Sequence, residues 1–160
     1  LAKFDDQREV FELIEQINKI DFVKVFFAFL LYFIGGYLFY SSIMAAIGSA
    51  VDSESDSQQF ITPVMIPLMI GYILSSKTIM NPDASSVYWG SMIPFTSPIV
   101  MMSRITSDVP PWEMAVSLTL LYASFFVTTW LAGKIYRTGI LLYGKKVTWK
   151  EMWKWALKKN

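Results

Sequence analysis

The sequence predicts an all-α membrane protein with three transmembrane helices, a proline-broken re-entrant helix pair, and amphipathic helices at both ends. Three observations predict it. Hydrophobic residues make up 54% of the 160 and charged residues 17%, whereas an ordinary soluble domain is about a quarter charged. Between Lys24 and Asp52 run 27 residues without a charge, where about 20 suffice to cross roughly 30 Å of hydrocarbon. Cysteine and histidine are both absent, which removes disulfides, thiolate or imidazole metal sites, and nucleophilic schemes that need either residue.

The whole of 1–160 reads as one membrane domain. The amphipathic segment at 1–21 is helical over 4–20, because Val10, Leu13, Ile14, Ile17 and Ile20 follow helical spacing while Asp5, Asp6, Arg8, Glu9, Glu12, Glu15 and Lys19 take the other side. A span follows over 23–51. Its second half carries two ladders of small residues, Ser41/Ala45/Ser49 and Ser42/Ala46/Ala50, and small side chains at that period let another helix approach closely in lipid.

An acidic loop, 52–59, separates this span from the next. Asp52, Glu54 and Asp56 alternate as in a calcium loop, but Ser57 and Pro63 stand where glycine and a bidentate glutamate are needed. Asp56-x-x-Gln59 and Ser55-x-x-Gln58 have capping-box spacing, so the loop is expected to start a helix. The second span covers 60–76, with Pro63 and Pro67 in its first half. Each proline removes a helical donor, and irregular backbone at membrane depth needs protein or a watery cavity over it. A kinked segment in a bundle interior is the expectation.

Residues 77–112 form the re-entrant region. Within it 87–103 is uncharged, yet Pro94 and Pro98 divide it into pieces too short to cross, with the turn at Ile93-Pro94-Phe95-Thr96-Ser97-Pro98; a full span over 87–103 is the alternative. Arg104 and Asp108 then read as a polar exit, and Glu113 as the cap of a third span over 114–133. The tail, 134–160, holds eight of the 14 basic residues. Thr148-x-x-Glu151 is a capping box, and Trp149, Met152, Trp153 and Ala156 share one face of a helix rich in lysine, beginning at Lys145 and Lys146. Such a helix suits an anionic headgroup surface; packing on a partner subunit fits it as well.

The basic tail places the C-terminus in the cytoplasm. Parity then puts 52–59 on the cytoplasmic side, and 1–21 and 77–112 outside. Eight basic residues fall inside and six outside, so the tail carries most of the argument. The opening LAKFDDQREV has no signal-peptide pattern, and a fragment or processed chain is expected.

Three stretches, GYLFYSSIMAAIGSAVDSESDSQQF (36–60), SMIPFTSPIVMMSRI (91–105) and WLAGKIYRTGILLYGKKVTWKEMWKW (130–155), together resemble the C-terminal half of type-2 ATP-binding-cassette exporter permeases, the branch typified by the sodium-efflux permease NatB. The resemblance runs over about 30–158. In that family the motif matched here by Gly48, Ser49, Ala50, Val51, Asp52, Glu54, Asp56, Gln58 and Gln59 lies on the cytoplasmic side. The resemblance implies two permease halves, this chain and a second copy in a homo- or heterodimer, working with two cytoplasmic ATPase subunits or domains that bind ATP and magnesium and drive alternating access in a bacterial plasma membrane. It assigns 60–76 to the substrate path, with Pro63, Pro67, Tyr72 and Ser75 as candidates. It makes Pro94, Thr96, Ser97 and Pro98 an external gate.

No charge lies inside any of the three runs, so no intramembrane carboxylate site for sodium is expected here. An intramembrane enzyme would need a Ser–Lys or paired-carboxylate site there and finds none. The chain is therefore read as a non-enzymatic permease, with no cofactor or metal of its own and no nucleic-acid partner. A non-transporting scaffold or assembly subunit is the alternative.

Overall fold

The computed structural model describes residues 21–51, 53–107, 109–139 and 148–157, with only the backbone of Glu54 and Trp149. The expected helix at 4–20, Asp52, Asp108, Lys145 and Lys146 lie outside the described residues. Within them are α1 (Phe22–Ala50), α2 (Glu54–Met80), α3 (Ser85–Met92), α4 (Ser97–Arg104), α5 (Pro111–Gly139) and α6 (Trp149–Leu157). Three of these, α1, α2 and α5, are long and apolar enough to cross a membrane.

Local chemistry sets the boundaries. Asp21 caps α1, its carboxylate accepting from the amides of Val23 and Lys24 at 3.1 Å each. The start of α2 corrects the expectation for 52–59: the cap is Ser53, whose Oγ accepts from Asp56 N at 3.2 Å and donates to Asp56 Oδ2 at 2.8 Å. Ser55 and Asp56 already lie in the first turn, so neither capping pair proposed from spacing forms the boundary. The second span is longer than 60–76 for the same reason. α2 stays helical through Pro63 and Pro67. Pro111 occupies the first position of α5, where its missing N–H leaves no helical bond unmade. Thr148 and Glu151 do cap α6, the carboxylate accepting from Thr148 N at 3.0 Å.

α1 and α5 form the broadest helix contact, and they run parallel. Lys24 Nζ donates to Val109 O, Gly35 faces Leu121, Ser42 meets Thr128, and Ala46 and Ile47 pack with Ala132 and Ile135. The sequence separation stays near-constant along this series, as parallel axes require. Of the two small-residue ladders, Ser42/Ala46/Ala50 makes the contact, whereas Ser41 and Ala45 are exposed and Ser49 is half-buried.

α2 runs back beside α1: Phe60 and Val64 join the cluster around Ala46 and Ala50. Its other end reaches α3 and α4, with Leu74 at Gly90 and Ser103 Oγ 3.3 Å from Thr78 Oγ1. Much of α2 is exposed, including Ile66, Met69, Tyr72 and Ile73, which corrects the expected interior position within this chain. An unbroken helix can lie at the edge because its intrahelical bonds meet most backbone needs.

α6 folds back over the ends of α1 and α5. Met152 and Ala156 are buried in that cluster, while Trp153 is 64% exposed. The apolar face expected to be one surface is thus divided between protein and surroundings.

Candidate functional site

The sequence singled out the turn between Pro94 and Pro98, and the structure shows what receives it. Ile93 ends α3, Thr96 caps α4, and the two short helices form a hairpin. Thr96 Oγ1 closes the turn by donating to Gly90 O at 2.6 Å. The tip enters between α1 and α2. On one side Pro98 abuts Gly36, where an added Cβ would stand 3.0 Å from the proline Cγ; on the other, the backbone of Thr96 lies near Gly71. Phe95 packs edge-on against Phe39 with centroids 4.9 Å apart, and its carbonyl accepts from Tyr40 Oη at 2.6 Å.

These contacts fix how far along α1 the tip lies. Phe39 lies 17 residues from the start of α1, about 26 Å along the axis at 1.5 Å per residue. Both ends of the hairpin stay near the Phe22 end of α1, since Ser103 meets Thr78 and Val109 meets Lys24. The chain thus descends and returns beside two long helices. Thr96 and Ser97 are buried, Pro94 and Pro98 half-buried, and Ser97 Oγ has no hydrogen-bond partner. The four residues proposed as a gate do assemble at one tip.

A polar cluster fastens this hairpin to α5. Arg104, at the end of α4, places Nη2 3.0 Å from Glu113 Oε2, and both side chains are buried. The approach is an ion pair without good hydrogen-bond alignment at that oxygen. Nη1 donates to Ser91 Oγ at 2.6 Å, and the guanidinium carbon lies 5.7 Å from the Tyr88 ring centroid. Ser117 Oγ then donates to Ser91 O at 2.6 Å, joining α5 to α3. Tyr32 of α1 donates to Met114 O nearby.

Sequence reading missed this cluster. It treated Arg104 as an exit and Glu113 as a cap, because each borders an uncharged run. The available signal was that Arg104 and Lys77 are the only basic residues between 60 and 133, so a buried carboxylate close by had few partners. Glu113 does sit in the first turn of α5, where a negative charge is favoured.

The proposed path residues are not gathered. Pro63 and Tyr72 are exposed, Pro67 and Ser75 half-buried, and the nine positions from Pro63 to Tyr72 make about two and a half helical turns, which sets the two on opposite faces. Asp56 serves the α2 cap, while Gln58 and Gln59 are exposed. A groove of about 540 Å³ runs between α1 and the hairpin, lined by Tyr37, Tyr40, Ser41, Met65, Leu68 and Pro98 among others. Among the described residues no three His, Cys, Asp or Glu side chains come together to hold a metal.

The family model for ABC-2 family transporter proteins matches residues 10–134. The uncharacterized protein YhaP of Bacillus subtilis is 31% identical over 121 residues, covering 75% of this chain and 29% of its own length. The uncharacterized protein MJ1024 of Methanocaldococcus jannaschii is 30% identical over 142 residues, covering 88% of this chain and 35% of its own length. The chain therefore spans about a third of these relatives. No solved structure matches it. With a family match over most of its length and three helices able to cross a membrane, the chain belongs to the ABC-2 family of transporter proteins.

Proposed function

We propose that the chain is the C-terminal part of an exporter permease of the NatB-like branch, forming a substrate path with alternating access. A partner ATPase would bind ATP and magnesium and supply the energy, and a second permease copy would complete the path. The reading is supported by the family match and by the hairpin tip seated between α1 and α2.

That seat is the single observation that carries it. Irregular backbone at membrane depth persists only where protein or water covers it, and here Gly36 makes room for a turn that borders an apolar groove. A tip held at that depth can block passage from the Phe22 side while the Ala50 side opens. Pro94, Thr96, Ser97 and Pro98 act as the gate, and the groove beside Tyr40 and Pro98 is a better site for cargo than the dispersed positions of α2. The exposed α2 surface around Ile66, Met69, Tyr72 and Ile73 faces the second copy or the remainder of the permease.

The topology follows from parity. Parallel α1 and α5 with antiparallel α2 leave the α3–α4 hairpin no net crossing, so it is re-entrant. The basic tail is cytoplasmic, the Ser53 turn faces the cytosol, and the hairpin opens outward. The acidic motif of Asp52, Glu54 and Asp56 offers a secondary ATPase contact.

The test is reconstitution of the permease with its ATPase in proteoliposomes. ATPase activity should rise when permease is present and fall several-fold when Pro94 and Pro98 are both replaced by Ala. Activity unmoved by the permease, or by both substitutions, leaves a scaffold in place of a gated path.

A further inference from the structure

At the far end of α5, away from the hairpin, lies a polar pocket that a transport path does not account for. It has a volume of about 270 Å³ and is lined in part by Trp130, Lys134, Arg137 and Trp155. Lys134 and Arg137 are three residues apart, so they share a helix face. Lys134 Nζ stands 4.0 Å from the Trp130 ring centroid, a distance at which the indole face attracts a cation. Docking of α6 through Met152 and Ala156 brings Trp155 to the same pocket. The described lining contains no carboxylate. After Glu113 the sequence has eight basic residues and one acidic residue, Glu151.

We propose that this pocket binds the phosphodiester of an anionic phospholipid. The order of side chains along α5 favours a lipid over a free anion. Phe126, Val127 and Trp130 are exposed at 67%, 56% and 60%, and they precede the two cations on the membrane side. Acyl chain, glycerol region and phosphate thereby meet apolar, indole and cationic side chains in succession, as depth in a bilayer requires. Trp155 closes the pocket from α6, so bound lipid couples the end of α5 to the tail helix. The inference rests on membrane insertion but not on transport, and its test needs no ATPase.

The experiment uses the protein purified in detergent, with dioleoylphosphatidylglycerol, dioleoylphosphatidylcholine or inorganic phosphate added. Thermal stability and lipid retention by native mass spectrometry are the readouts. Phosphatidylglycerol should raise the melting temperature and remain bound, while phosphatidylcholine and phosphate do neither. Replacing Lys134 and Arg137 together by Gln should lower retention at least several-fold, whereas Lys150→Gln with Lys154→Gln should leave it intact. Lys134→Arg with Arg137→Lys, which keeps both charges, should retain the lipid even if the Gln pair folds poorly. Equal retention of phosphatidylcholine, an equal effect of free phosphate, or an equal loss in the Lys150/Lys154 pair would each overturn the proposal.

Discussion

Arg104 and Glu113 meet from two different helices, Nη2 to Oε2 at 3.0 Å, with both side chains buried. The pair closes the linker between the hairpin and α5, so its loss acts on hairpin position as well as on stability. Removing one partner leaves a buried charge uncompensated, which costs about 3–5 kcal/mol, whereas removing both is far less damaging. Arg104→Met should therefore destabilise strongly, and Arg104→Met with Glu113→Leu should recover much of the loss. Unfolding in detergent gives both values; a double variant as weak as the sum of the singles would show that the groups do not interact.

Gly36 and Gly48 lie on one helix, yet they predict opposite responses. A Cβ at Gly36 would stand 3.0 Å and 3.1 Å from ring atoms of Pro98, which cannot rotate away, whereas a Cβ at Gly48 meets nothing within 4 Å. Gly48→Ala should stabilise α1 by up to about 1 kcal/mol through helix propensity. Gly36→Leu should cost about 1–3 kcal/mol from overpacking and displace the hairpin tip. Thermal unfolding of the two variants decides it, and a neutral Gly36→Leu would mean that the tip does not depend on this seat.

The hydroxyls of Ser42 and Thr128 lie 2.6 Å apart across the α1–α5 contact. Hydrogen bonds between membrane helices contribute about 0.6 kcal/mol on average, with a maximum near 1.7. A double-mutant cycle with Ser42→Ala and Thr128→Ala should return a coupling in that range. Ser41→Ala, on the exposed ladder, should leave stability unchanged.

Much of this fold is legible in sequence because uncharged length and proline position report directly on the membrane. The runs around α1 and α5, and the break between Pro94 and Pro98, needed no partner to be recognised. What sequence could not supply was pairing. Two equivalent ladders run along α1, and only tertiary contact shows that Ser42/Ala46/Ala50 is the packed one. Arg104 and Glu113 are each ordinary at a helix end, and their significance arises from a linker that brings them together. Pro63 and Pro67 argued for a kinked or irregular start, and α2 stays helical through both. The boundary at Ser53 shows the limit of motif spacing: three overlapping capping patterns exist, and the one used begins two residues before one spacing match and three before the other.

Ser53 provides a direct check on that boundary. Its Oγ accepts from Asp56 N and its carbonyl accepts from Ser57 N at 3.0 Å, so Ser53→Ala should cost about 1 kcal/mol. Ser55→Ala, inside the first turn, should cost a few tenths at most. Equal effects at both sites would place the cap elsewhere.

The proposed re-entrant path makes the sharpest topological prediction, and the absence of cysteine makes it straightforward to read. Asp83 precedes the hairpin, Ser107 follows it, Ser55 opens α2, and all three are exposed. Single cysteines at 83 and 107 should both react on intact cells with a membrane-impermeant maleimide, while one at 55 should react only after lysis. A cysteine at Phe95, on the tip beside Phe39 and Tyr40, should be slow from either side until the fold is opened. The comparison of 83 with 107 is decisive, because parallel α1 and α5 require both ends of the hairpin on one side. Labelling of 83 and 107 from opposite sides would mean that α3 and α4 cross, and the gate reading would fall with the topology.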